Sequence, residues 1–516
     1  MTGTRTILGV ILSARLVVSL AGVVPQASQP AAEEHLNQGR QLLAAGDAAG
    51  ARLEFQRAIR VQPNLWPAHQ FLGLALQREH RVEEAIQAFR KAVAIRPEVA
   101  ESHYYLGFAL AQKQRFTPAI AQFERAIQLR PDYGSAYYHL GVARWLGKDP
   151  EGALSALGEA ARQLPESAQV HYYLAETLKQ LGRSTEAIPE LETAVTLDPH
   201  SEIFLHELGL LQQQEGRIEE AVSSFRAALK IRPQFLEARN NLGLALIQLG
   251  RGEEAVRQLQ TVIGAQSANA IAHHNLGLAL LQKADLVGAA ASFRQAIRLD
   301  PGYAEAYYNL ALALKQQDDF EGAISALNQA TNLRPTMAEA YYTLGVIYWQ
   351  RGDLENAIRK LRVASGVQPD YAEAHYLLGT ALKQSGQLDE AISEFRATLA
   401  IRQDFVEAHR SLGMALRRKG ETEQALKELE EARRLDQLKA NLQSATFATS
   451  VGIKQLGKGE LDQAIQQFRK AIDLAPQYAP AHYQLGIALS RKGDTEAAQA
   501  AFKQARELNP RLDPPQ

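Results

Sequence analysis

Residues 100–133 read AESHYYLGFALAQKQRFTPAIAQFERAIQLRPDY, and this stretch decides the fold. Its second half holds Ala119, Phe123 and Ala126. Offsets of four and seven put these two small side chains and one large one on a single helix face. Its first half, HYYLGFALAQ at 103–112, reads as another apolar helix. Gly107 there costs helix propensity, so it marks a crossing point where no side chain fits. Pro131 stops the second helix, because it has no N–H to give the preceding turn.

The pattern repeats every 34 residues. Ala119 belongs to a series running from Ala51 through Ala85, Ala153 and onward to Ala425 without a miss, then resuming at Ala464 and Ala498. Phe or Leu follows each alanine by four positions, as at Phe55, Leu157, Phe293 and Phe468. Gly precedes each by twelve, except where Ala175 and Ala311 stand. Gly46, Gly182, Gly216, Gly250, Gly352, Gly386, Gly420, Gly459 and Gly493 fall where the two helices of a unit should turn. A fixed period of this length predicts a stack of like units, and helical offsets within it predict an all-α solenoid.

This combination of offsets resembles the tetratricopeptide repeat, over residues 32–512. The resemblance implies a right-handed α-solenoid (superhelix) whose first helices line a concave face that binds proteins or peptides. One position departs from it. Where the family has Trp, this chain mostly has His: His35, His69, His103, His171, His273, His375, His409 and His482.

The expected organisation is residues 1–31 as a signal peptide or membrane anchor, repeats 1–12 at 32–439, an insertion at 440–444, repeats 13–14 at 445–512, and a tail at 513–516. The leader reading rests on Arg5 and on an apolar run from Ile7 to Val24, interrupted by Arg15. It points to secretion or the cell envelope, with a cytoplasmic location as the alternative. Any membrane contact would come through this segment if it is not removed. The insertion is a slip in the beat, because Ala425 and Ala464 stand 39 residues apart. Either the second helix of repeat 12 runs on to about Asn441, with Ser444 capping the next helix, or an irregular linker fills 440–444.

Composition narrows the function. Lys and Arg total 56, Asp and Glu 57, for a net charge of −1, which argues against nucleic acid as a partner. With no cysteine there is neither a disulfide nor a thiolate metal site. GIKQLGKG at 452–459 nearly matches a phosphate-binding loop, but Gly459 stands where a hydroxyl is needed. Eight of the thirteen histidines share one repeat position, which marks them as packing residues rather than metal ligands. No cofactor, metal or catalytic residue is expected, and the chain reads as a non-enzyme. A substrate-recruiting array for a glycosyltransferase or a polysaccharide-secretion system is the alternative reading.

The candidate peptide groove follows from the resemblance. Three positions before the glycine stand Tyr104, Tyr138, Tyr172, Tyr308, Tyr342, Tyr376 and Tyr483, with His206, Asn240 and His274 between the two runs. One residue on come Asn241, Asn275 and Asn309. Gln112, Gln180, Gln214, Gln248, Gln282, Gln316, Gln350 and Gln384 recur five after the glycine. Carboxamides donate to and accept from a peptide backbone without reading its sequence, and tyrosines add apolar area with a polar tip.

Overall fold

The structure, a computed structural model, describes residues 30–512. Residues 1–29 and 513–516, and with them nearly all of the expected leader, lie outside the described residues. Among the described residues there are 27 helices and no strand. They divide into two units, one ending at Ser267 and one beginning at Ala268. Repeats 1–7 lie in the first and repeats 8–14 in the second.

Repeat 3 shows the plan. Its first helix is Ala100–Gln112 and its second is Phe116–Leu129. The beat alanine is buried in all fourteen repeats, and Phe55, Phe89, Phe123, Phe225, Phe293, Phe395 and Phe468 are fully buried beside it. The glycine is required by those rings. A Cβ on Gly39, Gly73, Gly209 or Gly277 would come within 2.5–2.6 Å of the phenylalanine sixteen residues on. Ala175 and Ala311, the two exceptions, have Leu191 and Leu327 sixteen residues on, as Gly141, Gly243, Gly345 and Gly413 have leucines.

The turn inside each repeat needs one left-handed residue. Nine glycines supply it, with φ between 71° and 92°. In five other repeats His80, Gln114, Lys148, Ala284 and Asp318 adopt the same conformation, at φ of 58–63°. An L side chain pays roughly 1–2 kcal/mol for this. Asp47, Asp149, Asp285, Asp319, Asp353 and Asp494 then cap the second helix, each accepting from the backbone N–H three residues on.

The histidine row fastens the loops. In His171, His375 and His409 the Nδ1 lies 2.6 Å from Glu190, Glu394 and Glu428 on the second helix. Their Nε2 donates to the carbonyls of Pro165, Pro369 and Gln403 in the loop entering the repeat, at 2.9–3.1 Å. His69 and His482 reach the same loop carbonyl at 2.8 Å, on Pro63 and Pro476.

The expected break at 440–444 does not form. Neither a cap at Ser444 nor a linker is present, because Thr422–Gly457 is one helix of 36 residues. No Gly or Pro lies between Glu421 and Val451, and the intervening Leu, Arg, Gln, Lys and Ala are strong helix formers. The second helix of repeat 12 and the first helix of repeat 13 are therefore one rod, about 54 Å long. The apolar core of repeats 10–12 ends at Ala425, and a separate cluster begins at Ala445.

Candidate binding face

None of the thirteen candidate residues is exposed. Tyr172, His206, His274 and Asn275 are buried, and Tyr104, Tyr138, Asn240, Asn241, Tyr308, Asn309, Tyr342, Tyr376 and Tyr483 are half-buried. Their rings face the next repeat. Tyr104 packs on Tyr133 at 4.9 Å, His206 on Phe235 at 4.8 Å, Tyr342 on Tyr371 at 5.1 Å and Tyr376 on Phe405 at 4.9 Å. Tyr172 stacks on Phe204 at 4.9 Å. Burial pushes the phenols of Tyr104, Tyr138 and Tyr172 far above their ordinary range. The row is thus built into the seams between repeats.

The asparagines are committed in the same way. Asn241 Nδ2 donates to His206 Nε2 at 3.0 Å, and Asn309 Nδ2 to His274 Nε2 at 2.9 Å. With Nε2 accepting, His274 carries its proton on Nδ1, which lies 3.1 Å from the Tyr303 hydroxyl. Burial lowers the pKa of both histidines. The glutamine row also links repeats. Gln112, Gln248 and Gln384 accept from Gln77, Gln213 and Trp349 of the preceding repeat, at 3.4, 2.7 and 2.8 Å.

The open part of this face lies one residue beyond the crossing glycine. In repeats 2–4 that position is closed: Leu74, Phe108 and Val142 are buried. Aromatic neighbours fill the space, with Phe108 5.1 Å from His139, and Tyr138 and Trp145 5.9 and 5.5 Å from Tyr173. His139 sits wholly inside, its Nδ1 donating to the Ser135 carbonyl at 2.8 Å, and burial lowers its pKa to about 4. Between repeats 5 and 6 the face is bridged by charge, Lys179 Nζ lying 2.6 Å from both Glu176 and Glu207. Burial raises the pKa of Glu176.

In repeats 8–12 the same position is open, as it also is at Leu210 and Leu244 of repeats 6 and 7. Leu278, Leu312, Val346 and Thr380 are half-buried and Met414 is exposed. Thirty-one residues on, where His139 lies against Phe108, Leu278, Leu312, Val346 and Thr380 have the non-aromatic Asn309, Thr343, Leu377 and Ser411. Two rims border this strip. Glu305, Glu339, Glu373 and Glu407 stand at the start of successive first helices, and Lys315, Trp349, Lys383 and Arg417 at the end. These rim residues are all half or fully exposed. Glu305 and Glu373 are held by Arg334 and Arg402 at 2.6 and 2.5 Å. Strip and rims recur at the 34-residue period, and the offset one past the glycine would have found the strip.

Other chemistry does not assemble here. Gly452 lies inside the long helix, where a Cβ would meet Phe468 at 2.6 Å, so GIKQLGKG is a helix crossing and no phosphate loop. Among the described residues no His, Asp and Glu gather as a metal-binding group, and no helix is long and apolar enough to cross a membrane.

Tetratricopeptide-repeat family models match residues 36–100, 72–133, 106–164, 146–205, 212–276, 308–365, 348–414 and 479–512, and TPR-repeat models 285–318 and 457–493. The chain belongs to the tetratricopeptide-repeat family. No curated protein matches it. Among solved structures, MamA is 30% identical and aligns 32% of this chain with 96% of its own, at a TM-score of 0.31. YrrB, described as a TPR protein with an unusual peptide-binding site, is 25% identical over 37% of this chain and 97% of its own, at 0.35. PilF of Pseudomonas aeruginosa is 20% identical over 40% and 95%, at 0.37.

Proposed function

We propose that the protein is a non-catalytic scaffold that holds an extended protein segment against the first helices of repeats 8–12. The observation that carries this is the strip Leu278, Leu312, Val346, Thr380 and Met414, which five consecutive repeats leave half-buried or, at Met414, exposed. A bound chain would bury this aliphatic row. Full burial of an exposed aliphatic side chain is worth about 1.5–3 kcal/mol, and the half-buried members of the row contribute a part of that. The acidic rim meets basic side chains of the ligand and the Lys and Arg rim meets acidic ones, which fixes its direction. The tyrosine and asparagine rows form the floor: they hold neighbouring first helices in register and so preorganise the strip. An envelope location belongs to this proposal and is supported by the apolar run from Ile7 to Val24. Fractionation of cells making a C-terminally tagged chain tests it, and recovery in the cytosol alone would refute it.

Panning a random peptide display against the full chain tests the groove. Selected peptides should share apolar residues at regular spacing and lose at least tenfold in affinity for Val346→Asp. Equal binding to that variant, with its helical content intact, would overturn the assignment.

A further inference from the structure

The seam between repeats 12 and 13 is missing, and both of its halves stand open. Five residues before the crossing glycine, Ala306, Ala340, Ala374, Ala408 and Ala481 have no exposure, because the preceding repeat covers them; in repeat 13 this residue is Phe447, 72% exposed. One residue past the beat alanine, Ala290, Ile358, Ile392 and Ile465 are buried, while Leu426 of repeat 12 is 54% exposed. Large apolar side chains therefore sit bare on the two faces that would meet. Two of the other seams of this unit also carry an ion pair from the turn of one repeat to the second helix of the one before: Arg351 to Glu321 at 2.7 Å and Lys419 to Asp389 at 2.7 Å. Lys492 pairs with Asp462 in the same way between repeats 13 and 14. Lys458 and Glu423 occupy the equivalent positions at the missing seam, yet they stand 35 residues apart on one helix, roughly 50 Å.

We propose that two copies of this chain exchange their last two repeats, with repeat 13 of each stacking on repeat 12 of the other. The rod keeps the faces of one chain apart, so only a second copy can bring Glu423 to Lys458, and reciprocity closes both seams. A phenylalanine at the Phe447 position already fits such a seam: Phe204 is buried there against Tyr172. Repeat 12 has Arg410 where repeat 5 has Tyr172; its guanidinium pairs with Asp436 at 2.7 Å, and its flat face can lie over a ring. The exposed Leu438 and Leu442 lie midway along the rod, where the two long helices would pass each other. Lys454 replaces an alanine that is fully buried at Ala313, Ala381, Ala415 and Ala488. Its stem can follow apolar surface while its ammonium reaches the edge.

The natural chain has no cysteine, so the full-length double variant Glu423→Cys/Lys458→Cys reports the seam directly. Oxidation should give a covalent dimer. A cross-linked monomer would mean closure within one chain, and no cross-link would mean no seam; either overturns the proposal. Glu423→Lys alone and Lys458→Glu alone should each weaken the dimer in sedimentation by about tenfold or more, equivalent to 1.4 kcal/mol or more. Mixing the two should restore a heterodimer, whose two seams both pair opposite charges; a mixture no tighter than the singles would refute exchange. Lys454→Ala should tighten the dimer and Phe447→Glu abolish it with helical content unchanged. A dimer indifferent to Phe447→Glu uses another surface.

Discussion

Repeats 2–4 and repeats 8–12 present the same position of the same helix, and one group closes it while the other leaves it open. Phe108 and Val142, with His139 and Tyr173 thirty-one residues on, are buried, whereas Leu312 and Val346, with Thr343 and Leu377 in that place, stay half-buried. Backbone geometry is common to both, so the difference lies in one neighbouring side chain per repeat. In a solenoid the residue that completes the seam also decides whether the face above it is filled.

The sharpest way to break this comparison is to put the same charge in both places. Val142→Asp should cost about 4 kcal/mol or more, since it removes a buried valine and buries a carboxylate. Val346→Asp, at a half-buried position, should lower the urea midpoint clearly less and act mainly on peptide binding. Equal destabilisation by the two would erase the distinction between closed and open repeats.

Acid offers a second probe. His139 is held neutral by burial, with a folded pKa of about 4 against 6.5 in an open chain. A depressed histidine contributes stability that is full above pH 6.5 and is lost as pH falls from there toward 4. The loss is on the order of 3 kcal/mol at 1.36 kcal/mol per pH unit. His139→Phe should flatten this part of the pH dependence in urea titrations at pH 7 and pH 5. An unchanged slope would show that His139 does not set it.

A substitution at the beat tests what the two groups share. Ala119→Leu and Ala289→Leu should each overpack a helix crossing and cost about 1–3 kcal/mol, with equal effect in both units. The smallest effect is expected at the turns. Gln114→Gly in repeat 3 and Ala284→Gly in repeat 8 should each raise stability by up to about 1 kcal/mol, since glycine adopts φ near 60° without strain. A loss at either turn would contradict the left-handed assignment.

The repeat count, the helix pairs, the crossing glycines and the turn glycines were all legible in the sequence, because each is set by contacts inside a 34-residue window. The role of the tyrosine row was not. Whether Tyr104 lines a groove or fills a seam depends on Tyr133, a residue that opens the next repeat and whose reach the period does not reveal. The half-buried strip was missed because Leu312 and Val346 look like ordinary core residues, and only the non-aromatic side chains thirty-one residues on distinguish them from Phe108. At the slip, the absence of Gly and Pro was visible. Its outcome depended on whether helix propensity across 436–444 would yield to the pull of a stacked seam, and it did not.

The long helix also governs how the molecule comes apart. Repeats support one another only through nearest-neighbour seams, and arrays of fewer than three are marginal on their own. With no seam behind it, the pair formed by repeats 13 and 14 is coupled to the twelve before it through the long helix alone. In an isolated chain its amide hydrogens, from about Ala445 onward, should exchange with solvent well before those of repeats 8–11. Assembly into dimers would bring the two rates together, so the last two repeats are both the means of pairing and the gauge of whether it has occurred.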